Sequence, residues 1–272
     1  MKYVVITFDD GRSDNYLIAK EIMEKYNLTG TVYITTGFID GTWNEKEILK
    51  SPTRALKKNE IKNLKSLGWE IGLHGDKHKT QVNDMEIALN KLNSWEINEN
   101  YWGISIPNSR AAEEEIEKIL KSNYGNKILY IRRGRRCNTA SLKSKVLFLM
   151  YSIFKWKWAY NIFNRSNIIN NLEREKFNIP SVVIKSNDDP KMIINFINYI
   201  PEGSIVVFML HSILPVDHLK YNKDSWSWGE DRFNEFCFEL KKLKDNKLIE
   251  LFSLKDMILK NKVVCQSGNS KK

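Results

Sequence analysis

A small group of carboxylates and imidazoles stands out because of where these side chains fall in the sequence. Two adjacent carboxylates, Asp9 and Asp10, follow the apolar run YVVITF. Side by side they repel each other when both are ionised, and a nearby cation would relieve that repulsion. His74 and His78 lie in the segment HGDKH, whose H-x3-H spacing lets two imidazoles converge on one ion. The sequence therefore predicts a metal site held by one carboxylate and both imidazoles.

This ligand set favours hydrolytic zinc chemistry. Three protein ligands leave the fourth position of a catalytic zinc open for water. The pKa of water bound there falls to about 7, and the second aspartate is then free to accept its proton. A lone H-x3-H, or a lone Asp-Asp pair, is more often structural. The conjunction of the two, each at the end of an apolar run, favours a site.

The elements that must position these residues alternate between strands and helices. Apolar runs of strand length cover residues 3–8, 31–35, 70–73, 103–106, 181–185 and 204–210. The stretches between them carry apolar residues at three-to-four spacing, as amphipathic helices do. This alternation predicts an α/β fold with a parallel sheet, open or closed into a barrel. Three runs stop at Asp9, His74 or His211, and active sites of such folds lie at the carboxyl ends of the strands.

Length and composition fit one globular domain. The chain has 272 residues, of which 42% are hydrophobic, and a buried core is expected. No run of about 18 uncharged apolar residues is present, so a membrane-spanning helix is not expected. A strand directly after Lys2 leaves no room for a signal peptide, and the three cysteines form no CxxC pair. We therefore expect a cytoplasmic protein with one domain over residues 1–262 and a flexible tail over 263–272.

In these segments the chain resembles the polysaccharide deacetylases, the NodB-homology group or carbohydrate esterase family 4. TFDDG (7–11), EIGLHGDKH (70–78) and MLHS (209–212) look like the first, second and last motifs of that family, in the expected order. The resemblance implies a distorted (β/α) barrel, often with seven strands. It also implies a divalent metal, for which we expect Zn²⁺, and the removal of N- or O-acetyl groups from sugars.

The resemblance also implies a role for each residue that matches a family motif. Asp9 matches the catalytic base and His211 the general acid. Asp10, His74 and His78 match the metal ligands. An amine is a poor leaving group until it is protonated, so an acid with a pKa near neutrality is needed, and a histidine suits that task.

The third family motif matches only in part. GISIPNSR (103–110) has Ser105 and Ile106 where many family members carry an arginine that orients the base. Pro107 and Asn108 keep the proline-containing form and are expected to contact the substrate. The missing arginine leaves a second function open, that of a sugar-binding relative with impaired catalysis.

The fourth motif, an aspartate that tunes the acid histidine together with a tryptophan, has two candidate aspartates in this sequence. Asp188 or Asp189 of NDDP falls in the right place, although NDDP is equally an ordinary helix start. Trp226 and Trp228 of SWSWGED are expected to line the substrate site. Packing under the following helix is the alternative for both.

The positive charge of the chain is concentrated in one segment. Residues 118–172 hold twelve Lys or Arg and no Asp or Glu, which leaves 31 basic against 33 acidic residues elsewhere. We predict a basic, apolar insert over about 131–170 whose Arg132 and Arg133, in RRGRR, meet substrate phosphates. Nucleic-acid binding is not expected, because the charge is local and would leave the strand-end site unexplained.

Within that segment, residues 146–163 are strongly apolar and aromatic but are interrupted by Lys155 and Lys157. This composition is typical of a helix lying on an anionic membrane surface, and we expect peripheral contact through 132–163, at the inner membrane face. A lid that binds substrate phosphates and an ordinary amphipathic helix packed on the barrel are the alternatives.

Together these observations predict a metal-dependent hydrolase that removes an N-acetyl, or related acyl, group from an amino sugar. We expect a nucleotide-linked or lipid-linked biosynthetic intermediate as substrate. A deacetylase of polymeric glycan is the alternative within the same chemistry.

Overall fold

The computed structural model describes residues 1–44, 53–136, 139, 141–221 and 225–260. The predicted tail 263–272 and two of the cysteines, Cys137 and Cys265, lie outside the described residues. Cys237 is a buried free thiol.

The predicted strands form one parallel sheet. Its eight strands follow the order β5-β4-β3-β2-β1-β7-β6, with β10 pairing with β1. The strands are β1 (Lys2–Phe8), β2 (Thr31–Ile34), β3 (Glu70–Leu73), β4 (Trp102–Ser105), β5 (Ile128–Arg132), β6 (Val182–Val183), β7 (Ile205–Leu210) and β10 (Ile249–Leu251). A second, two-stranded sheet pairs β8 (Ser212–Leu214) with β9 (Ser227–Gly229). All six predicted strands are present.

The sheet curls until its two edges meet. The segment 176–181, which leads into β6, runs beside β5. The amide of Ile131 donates to the carbonyl of Lys176 at 2.7 Å, and the amide of Ile179 donates back to the carbonyl of Ile131 at 3.0 Å. Because β6 pairs with β7, these bonds close the distorted (β/α) barrel that the sequence predicted.

Helices occupy most of the connections between strands, as the three-to-four spacing predicted. They are α1 (Glu21–Lys25), α2 (Thr36–Asp40), α3 (Lys58–Ser66), α4 (Val82–Ser94), α5 (Glu113–Leu120), α6 (Leu142–Phe154), α7 (Lys157–Asn164), α8 (Leu172–Glu175), α9 (Pro190–Tyr199), α10 (Val216–Tyr221) and α11 (Glu230–Asp245). Gly68 follows α3 in the left-handed region, with φ +84°, where a residue without a Cβ ends a helix at least cost.

Two strands of the eight-stranded sheet, β5 and β10, were not predicted, and the position of β5 corrects the boundary of the basic segment. All five residues of β5, ILYIR, are buried. Ile131 and Arg132 therefore belong to the barrel and not to an insert that begins at 131. Further along, Lys155 adopts φ 54° and separates α6 from α7, so the apolar run forms two helices. Within the described residues no helix combines the length and apolar content needed to cross a membrane.

Candidate active site

A pocket of about 540 Å³ opens at the carboxyl ends of the barrel strands. Asp9 and Asp10 follow β1, His74 follows β3 and His211 follows β7. Pairing in the sheet holds the ends of β1 and β7 side by side, because the amide of Asp9 donates to the carbonyl of Leu210 at 3.0 Å. His74 lies one strand further away, beyond β2, where its amide donates to the carbonyl of Ile34 at 3.0 Å. All of these titratable residues, together with His78, line the pocket.

The three predicted metal ligands converge on one point. Oδ1 of Asp10 lies 3.5 Å from Nε2 of His74 and 3.7 Å from Nε2 of His78. The three ligand atoms all lie within 4.8 Å of one another. Donors held about 2.0–2.1 Å from a tetrahedral zinc stand roughly 3.4 Å from each other. The donor set and its spacing therefore fit a divalent cation.

Asp10 is held in place by its backbone and by Arg12. Its φ of 77° lies in the left-handed region, where a residue with a side chain is strained, as often happens at functional sites. Arg12 donates to Oδ2 from Nε at 3.0 Å and from Nη2 at 2.9 Å, which leaves Oδ1 facing the histidines. Burial opposes ionisation, but Arg12 and His74 hold the pKa of Asp10 well below its usual range. Asp10 is thus an anionic ligand with one oxygen available.

Both histidines present a ligand nitrogen to this point. Nδ1 of His74 lies 2.8 Å from the carbonyl oxygen of Ser105, which can only accept, so Nδ1 carries the proton and Nε2 is the free nitrogen. For His78, burial and the neighbouring His74 lower the pKa to about 4. Its imidazole is therefore neutral at pH 7, as a metal ligand must be.

Asp84, on α4, shapes the loop that carries the second histidine. Its carboxylate accepts hydrogen bonds from the backbone amides of Asp76 at 2.9 Å, Lys77 at 3.0 Å and Lys79 at 3.1 Å. Three such bonds satisfy donors on both sides of His78 and fix the path of the chain through it. The H-x3-H pair is therefore presented by a turn, one of the two geometries that the sequence allowed.

Asp9, the predicted base, forms a buried ion pair with Arg132. Nη2 of Arg132 lies 2.5 Å from both carboxylate oxygens, and Oγ of Ser105 donates to Oδ2 at 3.2 Å. Ser105 and Arg132 are register partners on β4 and β5, so the guanidinium reaches Asp9 from the strand next to the third motif. Burial would raise the pKa of Asp9, but Arg132 and His74 bring it below its usual value. Arg132 therefore supplies the arginine that Ser105 and Ile106 seemed to lack.

The same contact corrects the expectation that Arg132 meets a substrate phosphate. Its side chain is 1% exposed and its charge is paired with Asp9. Arg133 is also engaged, since its Nη1 lies 2.9 Å from Oε1 of Glu113. Neither residue lines the pocket.

His211 lies at the edge of the pocket against Trp226, with their ring centroids 4.8 Å apart. Asn15 donates to the carbonyl of His211 at 2.7 Å, and Asp14 accepts the amide of Ile213 at 2.6 Å, so the segment that follows the first motif anchors the last motif. Burial lowers the pKa of His211. Among the described residues, the buried Nδ1 of His211 has no hydrogen-bond partner.

Neither aspartate of the expected fourth motif contacts His211 through a hydrogen bond found in the described chain. Asp189 caps α9, accepting the amide of Lys191 at 2.9 Å, as the helix-start interpretation predicted. Asp188 accepts the amide of Lys185 at 2.8 Å, and burial raises its pKa to about 6.

The two tryptophans lie in different environments. Trp226 lines the pocket beside His211, as a sugar-stacking residue would. Trp228 is 1% exposed and packs edge-on against Phe233 and Phe236 of α11, so the alternative of packing under the following helix holds for it.

Part of the third motif lines the pocket. Asn108 is one of the lining residues, and its φ of 55° is a left-handed conformation that asparagine tolerates better than most residues. Pro107, the residue before it, is buried.

The sequence did not single out Arg12 and Asp84 as parts of the site. The available signals were a basic residue two positions after Asp10 and an acidic residue in the first turn of α4.

Comparison with known proteins agrees with this geometry. The family model described as polysaccharide deacetylase matches residues 1–144, just over half of the chain. The fold is similar to that of a family 4 acetyl xylan esterase from Clostridium thermocellum in complex with a cobalt ion, with 14% identity, 94% of this chain and 90% of that chain covered, and a TM-score of 0.51. It is also similar to the peptidoglycan deacetylase PdaC from Bacillus subtilis, with 10% identity, 100% and 98% covered, and a TM-score of 0.50.

A third similarity is shorter. The Streptococcus pyogenes deacetylase PplD in complex with acetate aligns at 21% identity over 48% of this chain, with a TM-score of 0.39. The match spans 55% of the PplD chain, about half of its length. No curated protein matches the sequence.

Proposed function

This chain belongs to the polysaccharide deacetylase family, and from that premise we propose that it is a metal-dependent hydrolase releasing an N-acetyl or related acyl group from an amino sugar. The observation that carries the proposal is the convergence of Asp10, His74 and His78 beside the ion-paired base Asp9. The structural neighbours named as an acetyl xylan esterase and a peptidoglycan deacetylase support this reaction class.

A divalent cation, for which we propose zinc, would be held by Asp10, His74 and His78 and would supply Lewis acidity toward an acyl carbonyl and a water molecule. Asp9 is ionised and lies in the same pocket, so it accepts the proton of the water that attacks the carbonyl carbon. Arg132 keeps Asp9 ionised and oriented. In its protonated form His211 donates a proton to the departing nitrogen as the C–N bond breaks, and the proton that Asp9 has taken from water balances this loss. The products are a free amino sugar and a carboxylic acid.

The alternative of a catalytically impaired sugar-binding relative depended on a missing arginine. The contact between Arg132 and Asp9 supports an active enzyme over that alternative, because it gives the proposed base a guanidinium partner. We therefore favour an active enzyme.

Chelation tests the metal dependence. Acyl release from a panel of acetylated amino sugars is expected to stop after chelator treatment and to return when zinc is added. The metal should also stabilise the fold, by about 2.7 kcal/mol at a zinc concentration of roughly 100 times Kd. This appears as a higher midpoint of thermal unfolding in the wild type and a much smaller rise in His78→Ala. Full turnover by metal-free protein would contradict the proposal.

We propose that the sugar is carried by a nucleotide or a lipid and that the protein contacts an anionic membrane through α6 and α7. Of the 19 large hydrophobic residues that are exposed in the described chain, eight lie on these two helices and one, Trp156, lies between them: Leu142, Val146, Phe148, Leu149, Ile153, Phe154, Trp156, Trp158 and Ile162. We call these nine side chains the apolar face. Other residues of the helices, such as Tyr151 and Tyr160, are buried against the rest of the protein.

The charge around the apolar face suits anionic lipid better than a protein partner. Lys143, Lys145, Lys155 and Lys157 are exposed beside it, and residues 118–172 contain no acidic residue. Each lysine near an anionic bilayer contributes about 1 kcal/mol. Nζ of Lys155 lies 3.5 Å from the carbonyl of Asn187, so the apolar face adjoins the segment that carries the pocket residue Lys185. Docking there would bring the pocket close to a lipid-linked sugar.

Vesicle flotation tests the membrane contact. The protein is expected to float with vesicles containing phosphatidylglycerol and much less with pure phosphatidylcholine. The double variant Ile153→Ser/Trp158→Ser should lose this binding. Phe238→Ser removes an equally exposed aromatic from α11 and should not. The proposal would be contradicted if the double variant and Phe238→Ser bound the vesicles equally well. It would also be contradicted if the wild type were a dimer and the double variant a monomer, because the apolar face would then be a contact between copies of the chain.

A further inference from the structure

We infer that Arg135, Lys185 and Arg110 form an anion subsite of the pocket that takes a phosphate group attached to the amino sugar. These three basic residues are called the anion subsite below. The inference rests on the proposed function only for the statement that the anion belongs to the substrate. The binding of an anion at this place stands on the geometry alone.

The four arginines of RRGRR divide according to their contacts. Arg132 is paired with Asp9, Arg133 with Glu113, and Arg136 with Glu175 at 2.7 Å. Arg135 differs because it lines the pocket, where its guanidinium lies 4.5 Å from the ring centroid of Phe163. It donates from Nη2 to the carbonyl of Val183 only at 3.4 Å, and its buried Nε has no partner within the described chain. Its hydrogen-bonding capacity is therefore largely unused.

Lys185 joins Arg135 from a different part of the chain. It follows β6, lines the pocket, and holds its ammonium 4.6 Å from the ring centroid of Trp226. Burial and the charge of Arg135 both lower the pKa of Lys185. Asp188, which also interacts with Arg135, opposes this shift, but burial raises its own pKa to about 6 and it does not line the pocket. Two cations that repel each other across a pocket gain stability when an anion binds between them.

The charge of the pocket is not balanced by its own carboxylates. Among the described lining residues, the carboxylates are Asp9 and Asp10, and these are already paired with Arg132 and Arg12. Arg110, exposed at the end of the third motif, adds a third positive charge to those of Arg135 and Lys185. A divalent cation at the metal ligands would increase the excess further. Such a pocket selects an anionic substrate over a neutral one.

The position of the subsite indicates which part of the substrate carries the anion. The ring of Trp226 is close to both functions, with its centroid 4.8 Å from that of His211 and 4.6 Å from Nζ of Lys185. His211 protonates the nitrogen that stays with the sugar, so the subsite lies on the sugar side of the scissile bond. A sugar stacked on Trp226 would place a phosphate at its other end near Lys185. Guanidinium and ammonium groups together are the usual recognition elements for phosphate.

Calorimetric titration of the full-length protein with inorganic pyrophosphate tests anion binding without any turnover. Losing one charged hydrogen bond weakens binding by about tenfold or more. We expect this loss for both Arg135→Gln and Lys185→Gln. Arg136→Gln is the matched control, because it removes an arginine of the same motif that is paired outside the pocket with Glu175, and it should bind as the wild type does. If Arg135→Gln and Lys185→Gln bind pyrophosphate as tightly as the wild type does, the inference is overturned. This is the result expected if the anion binds to the metal alone.

Substrate comparison then separates the sources of the phosphate. A phosphorylated acetamido sugar should be hydrolysed with a higher kcat/KM than its neutral glycoside, and Lys185→Gln should remove about tenfold of that preference. Preference for the nucleotide-linked or the lipid-linked form identifies the carrier. Equal rates on neutral and phosphorylated sugars would refute the subsite while leaving the deacylase intact. Variant-sensitive pyrophosphate binding without acyl release from any sugar would instead refute the proposed function and leave the subsite standing.

Discussion

Asp9→Asn is expected to lower acyl release by about 10²- to 10⁴-fold, the usual contribution of a general base, while the zinc content stays that of the wild type. The substitution removes the proton acceptor but keeps the shape of the side chain, and Asp10 remains held by Arg12. The measurement is the initial rate of acyl release, combined with metal analysis of the same preparation.

The neighbouring residue supplies the control for this experiment. Asp10→Asn makes the same chemical change one residue later, but on the carboxylate whose Oδ1 faces both histidines. It should lose both zinc and turnover. If Asp9→Asn kept its activity, or if it lost zinc as Asp10→Asn does, the assignment of base and ligand to these two aspartates would be wrong.

Arg132→Met is expected to lower the free energy of unfolding by about 3–5 kcal/mol, because it leaves the carboxylate of Asp9 buried without its partner charge. Both side chains are almost fully buried, at 1% and 3% exposed, so water cannot replace the lost contact. Urea unfolding measures the loss. Arg132→Lys should recover only part of it, since an ammonium cannot reproduce the planar guanidinium.

A double-mutant cycle distinguishes this pair from ordinary packing. Removing both charges in Asp9→Asn/Arg132→Met should restore much of the stability that the single Arg132→Met variant loses. Arg136→Met, which breaks the partly exposed pair with Glu175, should cost about 1 kcal/mol or less. If Arg132→Met cost no more than Arg136→Met, or if the double variant were no more stable than Arg132→Met, Arg132 would not be the partner that positions Asp9.

The convergence of the three candidate metal ligands could be predicted because their information is local. Each of Asp10, His74 and His78 directly follows, or lies just beyond, an apolar run of strand length, and parallel strands bring their carboxyl ends to one rim of a barrel. Sequence pattern also predicted the six strands and most of the helices, since strand and helix periods differ clearly.

The partner of the base could not be predicted in the same way. Asp9 and Arg132 are 123 residues apart, and they meet because the sheet curls from β5 round to β1 while the register of β4 with β5 places Arg132 beside Ser105. The arginines of RRGRR look alike in sequence, yet one completes the base, one lines the pocket and two pair elsewhere. These arginines differ in how deeply their side chains are buried, and that depends on where β5 ends, which the sequence did not predict.

The cross-strand register of Ser105 and Arg132 bears on how relatives of this chain should be sorted. A search for an arginine within the third motif would place this sequence among inactive members, although a guanidinium contacts its base. We expect that a guanidinium from either of two adjacent strands can meet this requirement, as Arg132 does for Asp9 here. Surveys of inactive members should therefore inspect the last residue of the following strand before counting such an arginine as lost.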